Sequence, residues 1–269
     1  MNMYHIKKID DARIILASSM YYLSVGAIFR NESNSIVEWL KHYIYHGVEH
    51  FYLINDNSND DSIAKIQEFI DKGLITLYHS TEPYYVGRQR NLYNRFILPH
   101  AQKKDTQWLL MVDLDEYVWS PVSIRLDHIL RHFCSKLGQI QMRQHLYGSN
   151  GHVQQPDSIV SHFTKRSTDY INCYKYFINT NFEFRSLNIH HADFSIEEYK
   201  TTPSVFMIID PNYMLFNHYS CQSLTFWETV KCTRGDGDAY LQRDTARFHE
   251  LDKNEIEDLR LKEQNKDIT

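Results

Sequence analysis

The sequence is poor in the features that build disulfide scaffolds and membrane spans. It has four cysteines and no C-x-x-C pair, so reduced thiols in a cytoplasmic protein are expected rather than a disulfide framework or a cysteine-ligated metal. No apolar run reaches the length of about 18 residues that a membrane-spanning helix needs. We therefore expect a cytoplasmic protein with no transmembrane segment, and peripheral attachment at the inner face of the membrane stays open.

A basic excess is also absent. The 269 residues carry 29 Lys and Arg against 34 Asp and Glu, a net charge of −5, so nucleic acid is not expected as a partner. With 42% hydrophobic residues, the chain can bury one large core. The predicted organisation is an N-terminal extension over residues 1–20, one domain over 21–240 and a charged helical tail over 241–269.

One stretch, WLLMVDLDEYVW at 108–119, organises the rest of the chain. Its apolar run Trp108–Val112 is continuous, which is typical of a strand buried on both faces of a parallel sheet. The run ends in Asp113, Asp115 and Glu116. Ligands of open parallel sheets bind at the carboxyl ends of the strands, and Mg or Mn prefers such carboxylate oxygens. The sequence thus predicts a cation site on an exposed loop, although a polar turn after a buried strand is the simpler explanation of an isolated D-x-D.

The first half of the chain alternates between strand and helix patterns. Strands are predicted to begin near Tyr22, Phe51, Leu74 and Trp108, with segments of helix length between them. Such alternation favours an α/β fold, a mostly parallel sheet sandwiched by helices in a single domain. Three strand ends carry polar residues that the topology brings to one edge: Arg30–Glu32, Asn55–Asp56 and Asp113–Glu116. This arrangement is typical of a nucleotide site.

Local signals add detail to this outline. Ser35 and Glu38 have the spacing of a capping box at the start of the first helix. Helices are also predicted over 88–103 and 224–232, the latter followed by Gly235 as a stop signal. The glycine-bracketed loop Gly148–His152 predicts a place where backbone can approach a ligand closely.

These residues resemble the glycosyltransferases of the GT-A fold, nearest to glycosyltransferase family 92 and the related family-2-like bacterial enzymes. The resemblance covers residues 23 to 236 and rests on an ordered set of motifs, of which each alone is weak. The motifs are AIFRNE at 27–32, EW at 38–39, GVEHFYLINDNSNDDS at 47–62, Gln89 with Tyr93-Asn94, VDLDEY at 112–117, YGSNGH at 147–152, Lys175, the pair His190-His191, NHY at 217–219, and Ser223, Phe226, Lys231, Arg234 and Gly235.

The resemblance implies roles for specific residues. Asp113, Asp115 and His218 resemble the ligands of a Mn or Mg ion, with Asp113 also near the ribose, although His218 could equally be a packed core histidine. Lys231 and Arg234 could both face the donor diphosphate, or form a solvated basic face. Donor-binding roles are further implied for Arg30, Glu32, Asp56 and Gln89. Asp56 would accept a hydrogen bond from uracil, and Arg30 and Glu32 would flank the base, with turn or helix capping as the alternative for both carboxylates.

The catalytic base is less defined by the sequence. An inverting transferase needs a carboxylate or histidine near the acceptor hydroxyl, to take its proton as the new bond forms. Asp157 follows the glycine loop, and Asp193 follows the histidine pair. These two are the equal candidates, with Glu183, His190 and His191 as further alternatives.

The leading hypothesis is a metal-dependent glycosyltransferase. It would move a sugar from a UDP-sugar, with UDP-galactose as one candidate, to a glycan acceptor such as capsule or lipopolysaccharide, and inversion is expected. One alternative is a non-catalytic sugar- or nucleotide-binding module on the same scaffold. Another is a nucleotidyltransferase, which the absence of a glycine-rich loop after the first strand disfavours, because Arg30-Asn31-Glu32 stands there.

Overall fold

The computed structural model describes residues 21–133, 136–234 and 243–268. The predicted N-terminal extension and the predicted helix stop at Gly235 lie outside these ranges. None of the helices in the described ranges combines the length and apolarity needed to cross a bilayer.

The strands and helices of the described residues follow the predicted alternation in the first half of the chain. The strands are β1 (Tyr21–Phe29), β2 (His50–Asp56), β3 (Ile75–Ser80), β4 (Thr106–Met111), β5 (Glu116–Trp119), β6 (Gln139–Leu146), β7 (Lys165–Arg166), β8 (Ile171–Asn179), β9 (Phe184–Leu187), β10 (Ala192–Phe194), β11 (Phe206–Ile208), β12 (Leu215–His218) and β13 (Ile256–Glu257). The helices are α1 (Ile36–Tyr45), α2 (Ser62–Asp71), α3 (Arg88–Leu92), α4 (Leu98–Lys103), α5 (Leu126–His132), α6 (Ile159–His162), α7 (Leu224–Phe226), α8 (Cys232–Arg234), α9 (Thr245–Leu251) and α10 (Arg260–Gln264).

Nine strands of the described chain form one sheet in the order β3-β2-β1-β4-β8-β6-β12-β5, with β11 also paired to β6. The neighbours β3-β2-β1-β4 are all parallel, as are β6 and β12, whereas β8 and β5 run antiparallel to their neighbours. The predicted α/β fold with a mostly parallel sheet is confirmed. Because β1, β2 and β4 are parallel, the residues that follow them lie at one edge, as predicted.

The sheet is buried on both faces, which explains the unbroken apolar run of β4. Trp108 and Leu110 belong to the core on one face, together with Trp39 and Tyr43 of α1. The neighbouring residue Leu109 belongs to the core on the other face, with residues of α4, β9 and β10. Alternate residues of a strand point to opposite faces, so a strand covered on both sides needs apolar residues at successive positions.

The predicted capping box of α1 is wrong, although the helix begins where expected. The Ser35 hydroxyl donates to Glu32 Oε2 at 2.9 Å instead of capping α1. Glu38 instead caps the start of α6, because its carboxylate accepts from the backbone N–H groups of Ile159 at 2.6 Å and Val160 at 3.0 Å. A local sequence pattern could not reveal this contact, since its two partners are more than a hundred residues apart.

Two predicted helices contain a π-helical stretch. Tyr93–Ile97 separates α3 from α4, and Trp227–Lys231 separates α7 from α8. Such stretches are frequent at functional sites, because the extra residue in the turn shifts the side chains that follow it. Both stretches carry a residue that contacts one of the aspartates after β4: Tyr93 and Lys231.

The C-terminal segment packs into the domain instead of forming one charged helix. It comprises α9, the short strand β13 paired with β7, and α10. Leu261 lies in the main core. Asn265 is buried and contacts two histidines of α1, with its Nδ2 2.9 Å from His42 Nδ1 and its Oδ1 2.9 Å from His46 Nε2.

Candidate functional site

The site lies at the carboxyl edge of β1, β2 and β4, where two asparagines shape the loops. Asn31 and Asn57 both adopt positive φ of 54°, a conformation that asparagine tolerates better than most residues. The Asn31 backbone N–H donates to the Ser58 hydroxyl at 3.0 Å, and the Asn59 N–H donates to Asn31 Oδ1 at 2.9 Å. These bonds join the loop after β1 to the loop after β2.

A buried lysine of β8 joins Asp113 to Glu116. Lys175 is 1% exposed, and its Nζ lies 2.6 Å from Asp113 Oδ2 and 3.1 Å from Glu116 Oε2. Burial raises the pKa of Asp113, but the Lys175 ammonium outweighs it and holds that pKa below its usual range. Burial raises the pKa of Glu116 to about 7. Lys175 entered the sequence analysis only as part of a motif, because its partners lie far away along the chain.

Two polar side chains of the helix before β4 fix the other oxygen of Asp113. Gln89 Nε2 donates to Asp113 Oδ1 at 3.1 Å, and the Tyr93 hydroxyl donates to the same oxygen at 3.3 Å. Gln89 also donates to the Tyr93 hydroxyl at 2.7 Å. Gln89, which was predicted to bind the donor, thus contacts Asp113 and orients this first aspartate of the D-x-D pair.

Asp115 is buried against a second lysine. It was expected on an exposed loop, but it is 7% exposed and its Oδ2 accepts from Lys231 Nζ. Burial favours the neutral carboxyl, yet Lys231 and His218 hold the pKa of Asp115 well below its usual range. Burial in turn lowers the pKa of Lys231. The expectation of an exposed carboxylate is therefore wrong, and each aspartate of the pair has its own buried ammonium group.

His218 is close to Asp115 and oriented by a glutamine. Its Nε2 lies 3.7 Å from Asp115 Oδ2, and its Nδ1 lies 2.7 Å from Gln144 Oε1 of β6. With Nδ1–H donating to the amide oxygen, Nε2 is the ring atom that faces Asp115. Burial lowers the pKa of His218, but the Asp115 carboxylate outweighs this effect and raises it above its usual value.

The side chains of Asp115 and His218 fit a divalent cation whose remaining ligands would come from the nucleotide-sugar and water. Asp115 and His218 supply one carboxylate and one imidazole, and Gln144 provides the outer hydrogen bond typical of metal-bound histidine. No group of three or more His, Cys, Asp or Glu residues close enough to share an ion exists in the described ranges. Mg commonly binds through one or two carboxylates together with substrate phosphates, so two protein ligands suffice for such a site.

Asp56 is held by an arginine that the sequence analysis did not single out. Both of its carboxylate oxygens accept from the Arg88 guanidinium, one of them at 2.6 Å, and both side chains are buried. The hydrogen bonds that Arg88 donates to Asp56 raise the pKa of Arg88. Arg88 begins α3 directly after Gly87, whose φ of 83° makes the tight turn into the helix. A carboxylate has about four lone-pair sites, so Asp56 can still accept from a ligand.

Arg234, the second of the two basic residues predicted to face the diphosphate, joins α8 to the loop after β1. Arg234 donates to the Arg30 carbonyl at 2.7 Å and to Glu32 Oε1. Burial lowers the pKa of Arg234, but the Glu32 carboxylate outweighs it and raises that pKa. Lys231 and Arg234 therefore reach two different carboxylates of the same edge, Asp115 and Glu32. The structure brings Arg30, Glu32 and Arg234 together, as expected for parts of one site.

The two candidate catalytic carboxylates lie apart from this cluster. The Asp157 side chain is 95% exposed, and its Oδ1 lies 3.8 Å from His162 Nδ1. Asp193 accepts from the Ser186 hydroxyl at 2.7 Å and lies 3.3 Å from Lys200 Nζ and 3.5 Å from His191 Nε2. None of the contacts described for either residue reaches Asp113 or Asp115.

The glycine-bracketed loop contacts the C-terminal segment of the chain. A Cβ at Gly148 would lie 2.5 Å from the Lys253 carbonyl oxygen and from Asn254 Oδ1. The backbone N–H groups of Ser149 and Asn150 donate to Asp252 at 2.5 Å and to Asn254 at 2.8 Å. The close approach predicted for a ligand is thus made here by residues 252–254.

Comparisons with known proteins give distant relatives. The chain is 22% identical over 136 residues to a glycosyltransferase family 92 protein of Oryza sativa subsp. japonica, and that match covers 50% of this chain. The chain spans only 23% of that protein's length. Solved structures with similar coordinates include S. aureus TarS 1–349, at 14% identity and a TM-score of 0.43 over 74% of this chain and 60% of that chain. HddC from Yersinia pseudotuberculosis matches at 12% identity and a TM-score of 0.41, over 74% and 93% of the two chains.

The family itself is shown by a match to nearly the whole chain. The family model described as glycosyltransferase family 92 matches residues 20–269, which include the centre around Asp113 and Asp115 and the C-terminal segment that packs against the domain. The chain therefore belongs to glycosyltransferase family 92, in agreement with the resemblance found in its sequence.

Proposed function

We propose that the protein is a metal-dependent glycosyltransferase that moves a sugar from a UDP-sugar to a glycan acceptor with inversion. One observation carries this proposal. Asp113 and Asp115 lie side by side at the carboxyl edge of the sheet, and each is neutralised by a buried lysine. An edge with paired carboxylates and two buried ammonium groups suits a reaction in which negative charge grows on a leaving diphosphate.

The basic residues would have two roles, binding of the nucleoside and stabilisation of the departing diphosphate. A divalent cation held by Asp115 and His218 would neutralise charge on the diphosphate as it leaves. Lys231, whose Nζ donates to Asp115 Oδ2, would add a hydrogen bond to the same phosphate. Arg234 holds the loop after β1 through Glu32 and Arg30, which we propose flank the nucleoside.

The acceptor and the cellular place are proposed from chemistry rather than geometry. A bacterial-type surface glycan such as capsule or lipopolysaccharide fits a transferase that uses a nucleotide donor in the cytoplasm, and peripheral attachment at the inner face of the membrane fits the same role. A non-catalytic binding module is the second candidate. Burying two lysines against these aspartates carries a desolvation cost, and a module that only binds sugar has no use for this chemistry.

Nucleotide release tests the proposal against both alternatives. The protein would be incubated with UDP-galactose, UDP-glucose and UDP-N-acetylglucosamine, with Mn or with a chelator, and free UDP would be measured. We expect UDP release from one donor with Mn and little release with the chelator. Binding of UDP without release from any donor would favour the binding module. Release of pyrophosphate from a nucleoside triphosphate would favour a nucleotidyltransferase.

Base recognition gives a separate prediction. Uracil has a ring N–H that cytosine lacks, and a carboxylate at the end of β2 can accept it. We expect Asp56→Ala to weaken UDP binding by about 1–3 kcal/mol, the magnitude expected when the partner of a hydrogen bond is lost. Isothermal calorimetry with UDP, CDP and ADP would measure it, with the exposed Asp71→Ala on α2 as the control. Equal affinity of the wild type for UDP and ADP would contradict the assignment of Asp56.

A further inference from the structure

The turn between β9 and β10 is held against the sheet by three side chains from the strands β6 and β8. Gln141 of β6 donates to the His190 carbonyl at 2.9 Å. Gln139 of the same strand accepts from the Ala192 N–H at 2.6 Å. The Tyr176 hydroxyl of β8 donates to the Asn188 carbonyl at 2.6 Å. Because its backbone is fixed on both sides, His190 has a defined position although its side chain is exposed.

A bulge in β8 faces this turn. The pairing of β8 with β6 shifts between Arg143, which is opposite Tyr174, and Gln144, which is opposite Ile171. Bulges of this kind re-aim side chains and are common next to active sites. Here the bulge places the Tyr174 carbonyl 3.0 Å and the Cys173 Sγ 3.5 Å from His190 Nδ1.

This contact sets the tautomer of His190. A carbonyl only accepts, so Nδ1 carries the proton and donates it to Tyr174. Nε2 then presents a lone pair, and the Cys173 Sγ lies 4.0 Å from it. Burial raises the pKa of the Cys173 thiol to about 11, so that thiol is neutral.

The same imidazole is close to the charged centre. Partial burial lowers the pKa of His190, and the Lys175 ammonium lowers it further, while Asp113 has the opposite and smaller effect and His191 adds a small lowering. The groups that face His190 are therefore Lys175 and Cys173 of β8, Asp113 after β4, and its neighbour His191. These effects favour the neutral imidazole of His190. Tyr174, whose carbonyl accepts from its Nδ1, directly precedes Lys175, the partner of Asp113.

The other candidates are less suited to accept a proton. Asp193 is surrounded by Ser186, Lys200 and His191, and these contacts lower its pKa although burial opposes them. His191 faces Asp193 through Nε2 at 3.5 Å. The Asp157 side chain is 95% exposed, and its described contact is with His162 and not with Asp113 or Asp115.

We propose that His190 is the catalytic base of the transfer reaction, an assignment that rests on the proposed glycosyltransferase function. His190 Nε2 takes the proton of the acceptor hydroxyl while that oxygen's electron pair forms the bond to the sugar C1. The bond from C1 to the diphosphate oxygen breaks, and its electrons leave with UDP. The imidazolium, which keeps its Nδ1–H bond to the Tyr174 carbonyl throughout, then releases the proton to solvent.

Chemical rescue tests this assignment. The probe is whichever of UDP-galactose, UDP-glucose and UDP-N-acetylglucosamine the wild type hydrolyses fastest with Mn, with water as the acceptor. His190→Ala should lower UDP release by about 10²- to 10⁴-fold, the usual contribution of a general base. Because the ring is exposed, added imidazole should restore part of the lost rate. UDP affinity, measured by calorimetry, should stay within about twofold of the wild type.

An exposed histidine of α5 gives the matched control: His128→Ala should keep the wild-type rate and gain nothing from imidazole. Near-normal release by His190→Ala would overturn the assignment. So would an Nε2–H tautomer of His190 in ¹⁵N NMR of the histidine-labelled protein. Failure of the wild type to bind UDP at all would overturn the proposed function, and the assignment with it.

Discussion

Asp115→Asn is expected to abolish UDP release from the donor, with a loss of at least about 10³-fold, a magnitude like that measured for the loss of one strong electrostatic contact in a transition state. The amide keeps the shape of the side chain but lacks the charge that would hold a divalent cation beside His218. Nucleotide release with Mn, together with Mn binding followed by electron paramagnetic resonance, measures both effects.

Stability should fall as well, because Asp115 is a buried partner of Lys231. Its folded-state pKa is depressed, so its contribution to stability is present above the ordinary carboxylate pKa of about 3.9 and is lost as the pH falls through the folded value. At neutral pH the substitution removes the whole contribution. Breaking a buried pair costs about 3–5 kcal/mol, which denaturant unfolding would measure.

The double variant Asp115→Asn with Lys231→Met separates the two effects. Removal of both charges should restore much of the stability, since no buried charge is left without a partner. Activity should stay lost. Full activity of the single variant in the presence of chelator would contradict a metal-dependent mechanism.

Lys231→Met is expected to lower kcat by about 10²-fold or more, while the donor KM changes far less. The ammonium would stabilise charge that grows on the diphosphate only as the bond to the sugar breaks, so its loss affects the transition state more than the bound donor. Mn should bind more tightly to this variant, because the lysine and the cation would contact the same oxygen of Asp115.

The matched control is Lys72→Met, which removes a lysine that is 60% exposed on the surface beside α2. It should leave kcat, KM and Mn binding unchanged. If Lys231→Met kept a near-normal kcat, the diphosphate would be stabilised without this residue. Unchanged Mn affinity would show that the cation does not share the Asp115 oxygen with Lys231.

The sequence was sufficient to predict the layout of the site because its main signals are local. An apolar run followed by carboxylates marks a buried strand and its end, and alternation with helices makes the strands parallel. The sequence alone therefore predicts that Arg30, Asp56 and Asp113 lie at one edge of the sheet. The segment carrying Lys231 was also identified from its position in an ordered set of motifs.

The partners of these residues could not be predicted, because each comes from a distant part of the chain. Asp113 meets Lys175 through the antiparallel insertion of β8 beside β4, and Asp56 meets Arg88 through the turn at Gly87. The sequence predicted Asp115 to be exposed because a short acidic loop usually is. The structure buries it because Lys231 supplies the compensating charge, which a π-helical turn helps to position.

The docking of α10 has a consequence for the order in which the domain packs during synthesis. The buried histidines of α1 are made early, whereas their hydrogen-bond partner Asn265 is translated more than two hundred residues later. Leu261, which belongs to the main core, also arrives late. Until this part of the polypeptide emerges from the ribosome, each of these two imidazoles lacks the hydrogen-bond partner that Asn265 provides. The nascent domain would therefore reach its final packing only after Leu261 and Asn265 have been translated, long after the residues of the D-x-D pair.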